Sequence, residues 1–304
     1  MNSSTWLALG TGLSLSLATA ATLTARAADR VKVLIIDGQN NHNFKAMTPF
    51  MKAELEKTGR FAVDVSTSPP PKSPAALWDT WRPAFEYYDT VMSNYNGEFW
   101  PEPVQQAFLK YVANGGGAVL IHAANNAFPG WREYDRMIGL GWRPANYSDR
   151  VFLDDEGRLL RFPAGQDTGA GHGSPHAFQI QVRAPAHPVM KDMPLKWMHA
   201  QDELYHGQRG PAESFNLLAT AYSDPKTGGT GKHEPMAWWV PYGQGKVFTT
   251  VMGHVTGDSI PALQCTGFIT VMNRSCEWVA TGAVTIPIPA NFPTETEVRT
   301  VTPP

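Results

Sequence analysis

Three histidines in this 304-residue chain sit just beyond apolar runs of the kind that form buried strands. His42 follows Val31–Asp37 across the loop GQNN, His122 closes the run Gly117–His122, and His254 follows Lys246–Val251 across Met252-Gly253. If these runs are parallel strands of one sheet, their carboxyl ends share the rim where open α/β sheets bind ligands. An acidic partner is available in QDELYH, residues 201–206, which packs two carboxylates, a phenol and an imidazole together. A carboxylate beside an imidazole can orient it, act as a base or complete a metal site. Neutral imidazoles with one carboxylate suit zinc and leave a position for water or substrate. We therefore expect His42, His122, Glu203 and His254 to hold a divalent metal, zinc by preference. Asp202 or Tyr205 is then the proton-transfer group. No HExxH or paired CxxC stands behind this set, so it exists only through the fold. A metal-free site with His122 and Glu203 as acid and base, or no catalysis at all, stays open.

Polar and aromatic residues beside the same strand ends are the expected substrate contacts. They are Gln39 and Asn41 after the first run, Asn125 and Phe128 after His122, and His176 and Trp238 nearby. In Gly171-His172-Gly173-Ser174-Pro175-His176, glycine and proline forbid the helix that a four-residue histidine spacing would need. That segment reads as a loop at the pocket mouth, with His176 nearer the following strand than His172. Gly115-Gly116-Gly117 precede a strand, whereas a phosphate loop follows one and opens a helix. They read as a helix end, and no nucleotide cofactor is expected. Covalent catalysis is excluded at the strand-four turn, which reads Ile121-His122-Ala123-Ala124, and no G-x-S-x-G occurs anywhere. Aromatics near the rim, among them Trp131, Trp142, Trp197, Tyr205 and Trp239, stand beside amides and carboxylates. That mixture suits a sugar.

The elements that must place these residues are legible in outline. Val31–Asp37, Phe61–Ser66, Tyr88–Ser93 and Gly117–His122 alternate with helical patterns at Ala46–Lys57 and Pro103–Ala113, which predicts βαβ units and a parallel sheet. Shorter strands are expected at Ala177–Val182, Phe215–Ala221, Met236–Val240 and Lys246–Val251. One C-terminal helix is expected across SIPALQCTGFITVMNRSCEWVATG, then a Pro/Thr-rich tail over residues 286–304. The expectation is a single α/β domain, residues 28–285, with loop insertions.

Composition narrows the partners. A net charge of −2 gives no basic excess for nucleic acid. Residues 6–23 are small and apolar, and Ala25-Arg26-Ala27 matches an A-x-A cleavage site, so residues 1–27 read as a signal peptide. The expected location is periplasmic or extracellular, without stable membrane insertion. Cys265 and Cys276 lie eleven residues apart; on one helix that is about 16 Å, too far for a disulfide.

The ordered set IIDGQNNHNF, GGGAVLIHAANNAF, HPVMKDMP, DELY and EPMAWWVPYGQGKVFTTVMGH resembles the ThuA-like (trehalose utilisation) family from about Val31 to Ala280. The resemblance implies a flavodoxin-like, doubly wound, mostly parallel sheet related to class I glutamine amidotransferases, without their nucleophile. It also implies a link to catabolism of trehalose and other glycosides, in which 3-keto sugars are intermediates. The family's recurring polar positions fall on His42, His122, Glu203, Tyr205 and His254. Together these readings lead to a secreted enzyme that hydrolyses or eliminates a glycoside or oxidised sugar with help from a metal. The alternatives are a sugar-binding accessory protein and a metal-free acid–base lyase or isomerase.

Overall fold

The computed structural model describes Met1 and residues 30–302. The expected signal peptide, apart from Met1, lies outside the described residues. The first half alternates as β1 (Val31–Asp37), α1 (Phe44–Glu56), β2 (Phe61–Thr67), α2 (Ala75–Thr80), β3 (Thr90–Ser93), α3 (Glu102–Ala113) and β4 (Gly117–Ile121). After α4 (Arg132–Ile138) come β5 (Arg150–Leu153), β6 (Leu159–Phe162), β7 (Gly171–His172), β8 (His176–Val182) and β9 (Lys196–Asp202). The chain finishes with β10 (Tyr205–His206), β11 (Asn216–Tyr222), β12 (His233–Tyr242), β13 (Gly245–Thr250), α5 (Pro261–Gln264) and α6 (Thr266–Thr281).

Strands β2-β1-β3-β4-β13 run parallel in the flavodoxin-like order, and β12-β11-β8-β9 extend the same sheet antiparallel. The middle of β1 (Val33–Ile36) and all of β4 are apolar and buried because both faces are covered. Val33 and Ile35 meet Met47, Phe50 and Met51 of α1 and Phe268 and Met272 of α6. Leu34 and Ile36 point the other way, toward Val104 and Phe108 of α3 and Tyr134 and Met137 of α4. Side chains alternate between faces along a strand, so two covered faces demand a continuous apolar run.

One expectation changes at the C-terminal end. The anticipated single helix breaks at Cys265, which is extended (φ −60°, ψ 122°). There the backbone pairs with the tail instead: Thr266 N–H donates to Arg299 O, and Val301 N–H to Gln264 O, both at 2.9 Å. The tail is accordingly packed on the body, with Phe292 buried against Trp197. Both cysteines are buried and free. No helix among the described residues is long and apolar enough to cross a membrane.

Candidate functional site

The ends of β1, β4 and β13 bring His42, His122 and His254 together. Ring centroids lie 4.7 Å apart for His42–His122, 4.8 Å for His42–His254 and 5.7 Å for His122–His254. With Glu203 just beyond β9, one donor atom from each of the four lies within 4.8 Å of the others. His122 occupies the turn after β4 with φ 46°, a left-handed conformation that is uncommon for a residue with a side chain. Gly253 (φ +125°) lets the end of β13 turn beside it, its hydrogen facing the His122 Cβ where a methyl would sit 3.4 Å away.

Hydrogen bonds fix how His122 faces the site. Its Nδ1 lies 2.6 Å from Val251 O, which can only accept, so Nδ1 carries the proton. The Nε2 lone pair then points at the cluster, 3.1 Å from the Tyr205 hydroxyl, which donates to it. Burial lowers the His122 pKa despite the nearby Asp202 and Glu203. Burial, reinforced by His122 and His254, takes His42 down to about 4. Both rings are therefore neutral at pH 7, the form that ligates metals. Burial alone would raise Glu203, but His254, then His122 and His172, hold its carboxyl below the usual range. His254 Nδ1 is 3.1 Å from Glu203 Oε2 yet buried and off the direction of a hydrogen bond. The site thus presents a carboxylate, neutral imidazoles and one buried ring nitrogen without a directed partner, a donor set that fits a divalent ion.

Tyr205 is fully buried, and burial pushes its phenol well above the ordinary range, so it keeps its proton. Trp142, half-buried, packs edge-on against it at 4.6 Å and reaches His172 at 5.9 Å. Of the aromatics expected around the rim, Trp142 is thus in ring contact with the site, beside Tyr205.

Asp202 is not a proton-transfer group. It is fully buried and accepts four hydrogen bonds: from His199 Nε2 and Gly253 N at 2.7 Å, Glu203 N at 2.7 Å and His254 N at 3.0 Å. One carboxylate thereby ties the end of β9, which carries Glu203, to the end of β13, which carries His254. His199 balances its charge. Burial would lower that ring's pKa, but Cys265 and Asp202 on either side push it up to about 9.

Several expected substrate contacts are structural. Trp238 is fully buried and its indole N–H donates to Ile138 O at 2.7 Å. Phe128 sits in an aromatic cluster with Tyr95, Trp100, Trp131 and Tyr134. Asn125 is buried and donates to Gln208 Oε1. Gln39, also buried, braces its loop by donating to Pro69 O at 2.8 Å and accepting from Glu98 N at 2.9 Å. A polar or aromatic residue after a strand looks the same in sequence whether it faces ligand or packs a loop. Asn41 is exposed beside His42, its amide 3.3 Å from Nε2, and accepts from Asn96 at 2.7 Å.

The GHGSPH segment contributes its other histidine. His176 is half-exposed, its Nδ1 bonded to Ser174 O and its ring against Phe178. His172 instead reaches Glu203 Oε1 at 3.2 Å. The signal was the pair of glycines around it. A side chain at 171 would lie 2.9 Å from His206 Nε2, and one at 173 only 2.0 Å from Thr227 O.

The family model described as trehalose utilisation, ThuA, matches residues 32–279. Among solved structures, a ThuA-like protein from Parabacteroides merdae is 41% identical, with a TM-score of 0.85, and the match covers 90% of this chain and 98% of that one. A ThuA-like protein from Bacteroides uniformis shares 18% identity and the fold, with a TM-score of 0.56 and coverage of 85% and 96%. A search of curated proteins gave no match. With the family model spanning the sheet and every member of the histidine cluster, this chain belongs to the ThuA family, within the glutamine amidotransferase-like class.

Proposed function

We propose that this protein is a metal-dependent enzyme acting on a glycoside or oxidised sugar, by hydrolysis or elimination. The family description, trehalose utilisation, ties the chain to carbohydrate. The observation that carries the catalytic reading is the convergence of His42, His122, His254 and Glu203 within 4.8 Å. A neutral His122 with its Nε2 lone pair turned inward, beside a lowered Glu203 carboxyl, supports catalysis over binding alone. A divalent ion held there would polarise a sugar oxygen or lower the pKa of a bound water toward about 7.

The protein's own groups supply the rest. Tyr205, kept protonated by burial, is a hydrogen-bond donor beside His122, and its hydroxyl would turn to a substrate oxygen where an ion takes the His122 lone pair. Trp142 offers a half-buried face for the C–H side of a sugar ring. The expected export signal at residues 1–27 would place this chemistry outside the cytoplasm.

The test is turnover of 3-keto glycosides, with trehalose alongside, by zinc-loaded protein and by protein stripped with chelator. Product that needs the metal and is lost in Glu203→Gln supports the reading. Saturable sugar binding with no product under either condition overturns it in favour of an accessory protein.

A further inference from the structure

His254 is held from outside the cluster by the turn that follows it. Its Nδ1 faces the cluster, 3.1 Å from Glu203 Oε2. The other ring nitrogen, Nε2, lies 2.8 Å from Thr256 Oγ1. The turn that carries Thr256 is closed on itself: Thr256 N–H donates to Ser259 O at 3.2 Å, and Ser259 N–H to Thr256 O at 3.0 Å. Gly257, inside it, takes the left-handed φ of 57° that so tight a return needs. A second tie anchors the turn across the rim, where Asn43 Nδ2 donates to Asp258 Oδ1 at 2.8 Å. Asn43 follows His42 directly and is the N-cap of α1, its own Oδ1 accepting from Lys45 N–H at 3.1 Å. Residues 256–259 are exposed, so a change of side chain there opens no hole in the core.

We propose that Thr256 is a positioning residue of the site: its hydroxyl accepts the Nε2 hydrogen of His254, so that Nδ1 offers the lone pair that faces Glu203 and the other histidines. The inference rests on the divalent-metal reading of that cluster. A neutral imidazole has one N–H and one lone pair, and the partner of the first decides which nitrogen offers the second. Asp202 holds His254 by its backbone amide, at 3.0 Å; the ring takes its hydrogen bond from Thr256 instead. Groups that hold the second nitrogen of a ligand histidine in this way alter metal affinity by about 10–100-fold when removed. The exposure of Thr256 puts its effect at the lower end, about tenfold, since water takes over part of the hydrogen bond.

The experiment is zinc affinity measured by competition with a chromophoric chelator, on folded protein verified by circular dichroism. Thr256→Val, which keeps the branched shape and removes the hydroxyl, should bind zinc about tenfold more weakly than the parent. Thr256→Ser, which keeps the hydroxyl and drops the methyl, should recover most of that loss. Nitrogen-15 spectra of the histidine rings give the second readout. In the zinc-loaded parent, His254 should be bound through Nδ1 and carry its hydrogen on Nε2. Equal affinity in Thr256→Val and parent overturns this inference alone. So does a loss in Thr256→Ser as large as that in Thr256→Val, which marks the turn and not its hydroxyl. Zinc bound to His254 Nε2 overturns it as well, since Thr256 would then face the wrong nitrogen. A parent that takes up no zinc overturns the metal reading and this inference with it.

Discussion

Replacing Asp202 by Asn should loosen the site from beneath without altering any side chain of the histidine cluster. Asp202 is fully buried and each carboxylate oxygen accepts two hydrogen bonds: Oδ1 from the Glu203 and His254 amides, Oδ2 from the Gly253 amide and His199. An asparagine amide can match only one of these edges. Its NH2 must face two buried donors whichever way it is flipped, and each donor stripped of its acceptor costs about 1–3 kcal/mol. His199, whose pKa is pushed up to about 9 here, also loses its counter-charge. Together these put the destabilisation at about 3–5 kcal/mol. Urea unfolding with chelator present, followed by tryptophan fluorescence, reads this directly as a lowered midpoint at unchanged slope. Zinc affinity should fall as well, since Glu203 and His254 both hang from this carboxylate. A loss below about 1 kcal/mol would refute the assignment of Asp202 as the tie between β9 and β13.

Two further perturbations separate packing from chemistry. Trp238→Phe removes one of the two N–H groups that donate to Ile138 O, Leu140 N–H being the other, and leaves a smaller ring in the core; it should cost about 1–3 kcal/mol of stability while leaving zinc affinity within about twofold, and a site role would show the reverse. His187 is half-buried against Trp278 at 4.4 Å, and burial takes its pKa down to about 4. Its native pKa lies below the unfolded value of about 6.5, so the unfolded chain binds the proton first and stability is lost as pH falls from about 6.5 toward 4. At pH 5 that loss is at most about 2 kcal/mol, and nearer 1 with solvent screening at a half-buried ring. Thermal unfolding of His187→Phe at pH 7 and pH 5 should show a smaller acid shift than the parent; an unchanged shift would locate the acid sensitivity elsewhere. The His199 contribution has the opposite sign: with its native pKa raised, it is fully present below about 6.5 and lost as pH rises through about 9.

How much of this could be read from the sequence depended on which physical rule governed each residue. The parallel half was legible because a strand covered on both faces needs a continuous apolar run, as Val33–Ile36 and Gly117–Ile121 are. His42, His122 and His254 followed from it, since strand order alone puts their ends on one rim. The antiparallel extension was read less completely. The outer strand β9 (KWMHAQD) has only partial alternation, and the two-residue strands β7 and β10 are too short for periodicity to register. His172 was missed for that reason: its place depends on a ladder of two residue pairs and on glycines chosen for close approach. Trp238, Phe128 and Asn125 were misread as ligand contacts because side-chain type does not tell a packed loop from a lined pocket. The break at Cys265 was invisible because the competing partner, the Arg299–Val301 backbone, lies more than thirty residues downstream.

Four side chains from the ends of β1, β4, β9 and β13 converge in what we propose is a divalent-ion site. Elemental analysis of protein purified without chelator or affinity histidines, followed by zinc titration, tests it most directly. Near one ion per chain is expected, taken up by the parent and lost in His122→Ala and His254→Ala while both variants stay folded. A parent that binds no zinc, manganese, iron or nickel even after soaking, or a His122→Ala variant that keeps its metal, would contradict it.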